Sequence, residues 1–169
     1  MSFISTNSTV ISFASYDDVL QADQRLFEAN EGLTEDVVEQ DLIRATQRIL
    51  TAIKFTSWWR ECYLRTTTNP TMMSSVDLPD VNPSRIVARQ ADFTDLCVYH
   101  ALYFYILPRI ADFSKEDNAE RAKIGFNQNK YNQLFEELVN QGDWYDFNGD
   151  GTVTSTEKFA GHISLRRTR

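Results

Sequence analysis

An all-α fold is expected, a bundle of about four helices with an extended N-terminal arm, a long 65–82 loop and a C-terminal calcium-type loop. Three observations point to it. Apolar residues recur at three- and four-residue steps over 38–53 and again over 86–107, the period of a helix with one buried face. Helix-opening residues stand at Ser15, Thr34, Asn82-Pro83 and Ser114, where a side-chain oxygen can accept a backbone N–H that the first turn leaves without a partner. Helix-ending residues follow at Gly32, Pro108 and Gly142.

Taken in order, residues 1–13 are rich in Ser, Thr and β-branched side chains. Thr9-Val10-Ile11-Ser12-Phe13 has the composition of a short strand or of an arm extended over a neighbouring subunit. Ser15 then caps a helix expected over 16–29, with Asp17 and Asp18 in its first turn and Tyr16, Val19, Leu20, Leu26 and Phe27 on one side. Thr34 opens a second helix, with Leu33 and Val38 placed as a hydrophobic staple. It carries Leu42, Ala45, Ile49, Ala52 and Ile53 on its buried face and continues, with a break near Thr56-Ser57, to Leu64. Trp58 and Trp59 point about 100° apart on a helix. Two readings of them stand: one of the pair faces a partner, or both belong to a broad buried face.

No helical period runs through 65–82, and a loop of that length is often functional or ordered by a partner. Met72 and Met73 within it suit an adaptable contact surface. A third helix is expected from Asn82-Pro83 to Leu107, as the central element of the core. Pro108 kinks or ends it. A fourth is expected over 115–140, with Ala119, Ala122, Phe126, Tyr131, Leu134, Phe135, Leu138 and Val139 on its apolar side.

The most specific chemistry lies at Asp146-Phe147-Asn148-Gly149-Asp150-Gly151-Thr152-Val153-Thr154-Ser155-Thr156-Glu157. Counted from Asp146, side-chain oxygens fall at positions 1, 3, 5, 9 and 12, with glycine at 6 and an apolar residue at 8. A hard cation takes six to eight oxygens, and a twelve-residue loop of this pattern supplies them. Asp146, Asn148, Asp150 and Glu157 are the expected side-chain ligands of a structural Ca2+, Thr152 would contribute its carbonyl, and Thr154 would act through water. The loop stands alone, follows a helix interrupted at Gly142 and leaves little room for an exit helix. It is therefore expected to act as a static clip, whereas calcium sensors work by paired loops between long helices.

The net charge of −7 argues against a protein that grips DNA through its phosphates. Cys62 and Cys97 lack metal-ligand spacing and are expected as reduced core residues. Cys97 and His100 share a helix face, but their apolar neighbours and the lack of a third group read as a buried thiol and a satisfied core histidine. With no phosphate-cradling glycine motif either, no enzymatic activity is expected. The N-terminus has neither the basic nor the apolar region of a signal peptide, and the longest apolar run, 96–107, falls short of the ~20 residues that span a bilayer. A soluble protein without a membrane partner is expected. Arg166, Arg167 and Arg169 form a basic tail, read either as a disordered end or as an arm for an acidic partner surface.

The order of helices resembles the head-tail connector family of tailed bacteriophages, the adaptor or head-completion subunits beneath the portal. The resemblance is carried by the short helix opened by Tyr16-Asp17-Asp18-Val19 and by Leu33-Thr34-Glu35-Asp36-Val37 leading into Ile43-Arg44-Ala45-Thr46-Gln47-Arg48-Ile49-Leu50. It extends through the apolar helix 91–107 and the helix 131–142, and covers roughly 14–142. The long 65–82 excursion and the calcium-type loop depart from the family pattern, so the metal site stands on its own spacing.

The resemblance implies a non-enzymatic virion protein of the phage neck that is present in the host cytoplasm during assembly. It would form a dodecameric ring joining portal to tail and neck proteins, and DNA would pass through without sequence-specific binding. On this reading 1–142 is the connector-like helical domain with its arm, and 143–169 is the loop and basic tail of the same structural unit. The alternative is a soluble single-loop calcium-binding module that docks on a protein partner.

Overall fold

The computed structural model describes residues 3–7, 9–28, 32–66, 78–114 and 119–158, and these are mostly helical. The N-terminal segment pairs with itself. Strands β1 (Ile4–Thr6) and β2 (Thr9–Ser12) form an antiparallel hairpin, turned at Asn7 with a positive φ of 51°, a conformation asparagine tolerates better than most residues. This small sheet is an addition to the all-helical expectation.

Among the described residues seven α-helical segments follow: α1 (Tyr16–Ala22), α2 (Gln24–Glu28), α3 (Glu35–Lys54), α4 (Ser57–Thr66), α5 (Gln90–Ala101), α6 (Leu107–Ile110) and α7 (Ala119–Gln141). Ser15 opens α1 through a full capping box, its hydroxyl accepting from the Asp18 amide while the Asp18 carboxylate accepts from the Ser15 amide. The single helix expected over 16–29 breaks at Asp23, whose φ of −150° and ψ of 82° leave the helical region. The Asp23 carboxylate accepts from Lys123 Nζ, and an acidic group is better placed before the N-terminus of α2 than within the last turn of α1. Thr56 supplies the break between α3 and α4: its hydroxyl accepts from the Trp59 amide at 3.2 Å and donates to the Ile53 carbonyl at 2.6 Å.

The helix expected from Asn82 is corrected. Asn82 does cap a turn, accepting from the Ser84 amide at 3.0 Å, but only a 3-10 turn over Pro83–Arg85 follows. Ile86 then pairs with Tyr145 in a β-bridge, and the amides of Val87 and Ala88 donate to the Trp144 carbonyl. That pairing withdraws 86–88 from any helix, so α5 begins after Arg89, which holds a left-handed φ of 55°. At its far end the helix widens into a π-helical stretch over Leu102–Ile106. Pro108 has no N–H and its ring crowds the carbonyl four residues earlier, so a wider turn just before it relieves the conflict.

The chain divides into two compact units, Met1–Ile49 with Arg89–Phe135, and Leu50–Ala88 with Glu136–Arg169. In the first, Val19, Val38, Leu42, Ala45 and Ile49 are buried, as are Phe93, Leu96, Cys97 and Leu107. Phe3, Phe13 and Phe93 form a ring cluster there. Thr46 Oγ1 accepts from the Phe13 amide at 3.1 Å, and Thr94 Oγ1 donates to the Phe13 carbonyl at 2.8 Å, which ties the end of the hairpin to α3 and α5. Asp41 is buried and satisfied by Arg109, with Nη1 at 2.9 Å and Nη2 at 3.4 Å. Among the described residues Arg109→Ala leaves that carboxylate with the 3.6 Å contact to Arg44 alone and is expected to lower stability by about 1–3 kcal/mol, read as a shift in the urea midpoint at unchanged slope.

In the second unit the buried set is Ile53, Trp58, Trp59, Cys62, Leu78, Val81, Ile86, Leu138, Trp144 and Tyr145. Of the expected 65–82 loop, Arg65 and Thr66 belong to α4, 67–77 lie outside the described residues, and Leu78 and Val81 are packed, with Trp59 Nε1 donating to the Pro79 carbonyl at 3.0 Å. The start of α7 departs from its expected apolar side: Ala122 and Phe126 are exposed, Phe126 by 59%, with Lys130 Nζ set over its ring.

Candidate metal centre

The loop begins where the chain leaves α7. Gly142, with φ of 55°, ends the helix through its amide to the Leu138 carbonyl at 3.0 Å. Trp144 follows fully buried, its Nε1 donating to the same carbonyl at 2.8 Å. Tyr145 is fixed by its bridge to Ile86, and the Asp146 amide donates to the Arg85 carbonyl at 2.9 Å. The first loop residue is therefore anchored to a turn far away in sequence.

Asp146 is 2% exposed and both its oxygens are used. Oδ1 accepts from the Gly149 amide at 2.6 Å and Oδ2 from the Gly151 amide at 2.7 Å. Those glycines have φ of 83° and 85°, values that bring successive amides to one carboxylate and that side chains rarely permit. Asn148 Oδ1 accepts from the Asp150 amide at 2.8 Å, and Asp150 Oδ1 accepts from both the amide and the hydroxyl of Thr152 at 2.8 Å. These last bonds hold the Asp150 carboxyl below the usual range.

Glu157, 6% exposed, closes the loop. Its Oε1 accepts from the amides of Phe147 and Asn148 at 3.0 and 2.9 Å, and its Oε2 from the amide and hydroxyl of Thr154 at 2.9 and 2.7 Å. Burial works to raise its pKa, but the bonds from Thr154, Asn148 and Phe147 outweigh it and the net shift is downward. Positions 2, 3, 9 and 12 are thereby tied together by one carboxylate.

Arg85 is the residue that spacing did not reveal. Its Nη1 donates to the Phe147 carbonyl at 2.8 Å, and its Nη2 lies 3.4 Å from where a Cβ on Gly149 would stand. The only local sign of it is the Asn82-Pro83 turn that presents it. Behind the loop, Trp58 packs on Trp144 with ring centroids 4.7 Å apart, and Trp59 meets Tyr145 at 5.1 Å and Phe147 at 5.8 Å. Trp58 and Trp59 are 2% and 3% exposed, so the interface role considered for them is corrected. Their divergent directions are both covered, because the aromatic segment 144–147 lies against the two rings. Met72, Met73, Arg166, Arg167 and Arg169 lie outside the described residues.

The donor set is all oxygen, the chemistry of a hard cation. Among the described residues no group of three or more His, Cys, Asp or Glu side chains is arranged to hold a metal ion. The loop amides hold these carboxylates instead. Asp146, Asn148, Asp150 and Glu157, with the Thr152 carbonyl, fit a hard cation in donor type. Each Asp146 oxygen accepts one amide and keeps a further lone pair, whereas each Glu157 oxygen already accepts two bonds, which a cation would have to displace.

The pair on α5 differs from the expected one in one respect. Cys97 is buried beside Thr46 Oγ1 at 3.4 Å, and burial pushes its thiol up to about 12. His100 is also buried, packed among Tyr103, Phe104, Tyr105 and Tyr131. Its Nδ1, however, has no hydrogen-bond partner among the described residues, so the histidine is not satisfied. Burial first, and the Arg48 charge second, lower its pKa to about 4. The unfolded chain binds a proton near 6.5 and the folded chain only near 4, so His100 supports stability above pH 6.5 and that support is lost as pH falls through this window. Urea midpoints measured from pH 7 to pH 4 are expected to fall, and His100→Phe is expected to flatten the decline.

Compared with protein-family models, with curated proteins and with solved structures, the chain matches none. Among the described residues no helix is long and apolar enough to cross a membrane.

Proposed function

We propose that the protein is a structural subunit of a tailed-phage neck, a head-tail connector that assembles as a ring between portal and tail, and that its 146–157 loop is a calcium-type clip. The observation that carries the clip is the closure by Glu157, which joins Phe147, Asn148 and Thr154 while Arg85 holds the same stretch from outside. A loop pinned at both ends, and anchored on buried Trp144 and Tyr145, is suited to stiffening a surface rather than to opening a groove. A bound cation would join the loop through the same oxygens, taking the place of some of the Glu157 bonds that close it here.

The ring reading is supported by the mostly helical chain with its cap at Ser15 and by the exposed Phe104, Phe113 and Phe126, which a lone subunit would leave in water. The acidic balance of the chain suits a channel through which DNA passes unheld. Negative-stain images of the concentrated protein, alone and with portal, are expected to show annular particles. Dispersed single subunits in both samples would overturn the ring.

A further inference from the structure

Two clefts, of about 360 and 310 Å³, lie between α1 and α5 and beside the hairpin. They share Asp18, Gln21 and Thr94, so they form one groove. Buried Phe13, Ala14 and Val98 give it an apolar floor, while Ala22, Ala91, Asp17 and Asp95 stand exposed along it. Among the described residues no lysine or arginine lines either cleft. The Asp18 carboxylate is held by Ser15, and Asp92 nearby by Arg89. Asp17 and Asp95 have no hydrogen-bond or ion-pair partner among the described residues. The carboxylates press on one another: burial, then Asp92 and Asp18, raise the Asp95 pKa. An uncompensated acidic rim over an apolar floor calls for a short basic segment with apolar residues beside its charges.

The chain itself carries such a segment. Ile163-Ser164-Leu165-Arg166-Arg167-Thr168-Arg169 sets three arginines in four positions next to two apolar residues, within a chain that is otherwise acidic. Guanidinium forks match carboxylates in both charge and geometry. We propose that the basic segment 164–169 of one copy docks in the α1–α5 groove of the next. This rests on the assembly reading above and names one of its contacts. A groove and an arm on the same subunit make a heterologous, head-to-tail contact, the kind that closes into a ring when its rotation permits.

The test uses the full chain with Arg166→Glu, Arg167→Glu and Arg169→Glu, which frees the groove, and a fluorescent peptide of residues 159–169. Anisotropy is expected to show saturable binding that weakens with salt. Adding Asp95→Lys is expected to weaken it by about tenfold or more, and Asp95→Asn by less, with far-UV circular dichroism unchanged in both. Equal affinity for the Asp95→Lys protein, or no binding, would overturn the proposal. A second arm separates the two readings. If the native chain and its Asp95→Lys variant assemble equally well, the ring stands and this docking fails. If the peptide binds as expected but the native chain stays monomeric at every concentration, the second-copy assignment fails together with the ring.

Discussion

Trp144→Ala is expected to be the most damaging single truncation near the loop. Trp144 is fully buried, packs on Trp58 with tilted rings whose centroids are 4.7 Å apart, and donates its side-chain N–H to the Leu138 carbonyl. Removing a large aromatic from such a position costs about 3–5 kcal/mol, through lost apolar burial and the cavity left behind. The lost Nε1 bond adds to this, although the Gly142 amide still serves the Leu138 carbonyl. Because the Trp144 carbonyl also accepts from Val87 and Ala88, disorder should spread to the 83–88 segment, including Arg85. Hydrogen exchange is the measurement that separates the outcomes. Faster exchange at 85–88 and 146–157, with α5 still protected, is expected. Uniform loss of protection over all helices would mean that the whole chain unfolds as one.

Glu157→Gln is expected to produce the second large effect, on the loop itself. The carboxylate accepts four bonds, three from amides and one from a hydroxyl, and bonds to a charged acceptor contribute about 1.5–3 kcal/mol each when isolated. A neutral amide carries one carbonyl oxygen and one NH2, so it can serve Phe147 and Asn148 or Thr154, but not both ends of the loop. Calcium is expected to protect the native chain against heating and proteolysis and to leave this variant unprotected. Identical responses of the two proteins to calcium would reduce the loop to a turn. The acid side has a defined sign as well. The folded pKa of Glu157 is depressed, so its contribution is present above the unfolded carboxylate pKa and is lost as pH falls through the folded value.

The loop was legible because its chemistry is local. Position 12 and position 6 lie within one dodecamer, so Glu157 and Gly151 could be placed by counting. Arg85 could not, because its bond to Phe147 spans 62 positions and nothing in a single sequence links the two. The same distance problem explains the third helix. Asn82 does cap as its side chain suggests, but the bridge from Ile86 to Tyr145 overrides local propensity and delays α5 to Gln90. Trp58 and Trp59 show the limit of periodicity: one element cannot bury two directions, yet another stretch of chain can cover both. The break at Asp23 was not legible, since the apolar residues on either side continue the helical period while the Asp23 carboxylate is held by Lys123, 100 positions away. The buried thiol and imidazole of α5 were legible as core. The missing partner of His100 Nδ1 was not, because satisfaction depends on every neighbour at once.

The central claim, that this is an assembly subunit with a static loop, is tested most directly by the mass of the full chain in solution. Light scattering should be recorded on the purified protein and on its mixture with portal, in calcium and then in chelator. The account predicts a closed multimer, or a complex with portal, whose hydrodynamic shape changes little when calcium is removed. A protein that stays monomeric in every mixture and changes shape with calcium would contradict it, and would point instead to a lone calcium-binding module.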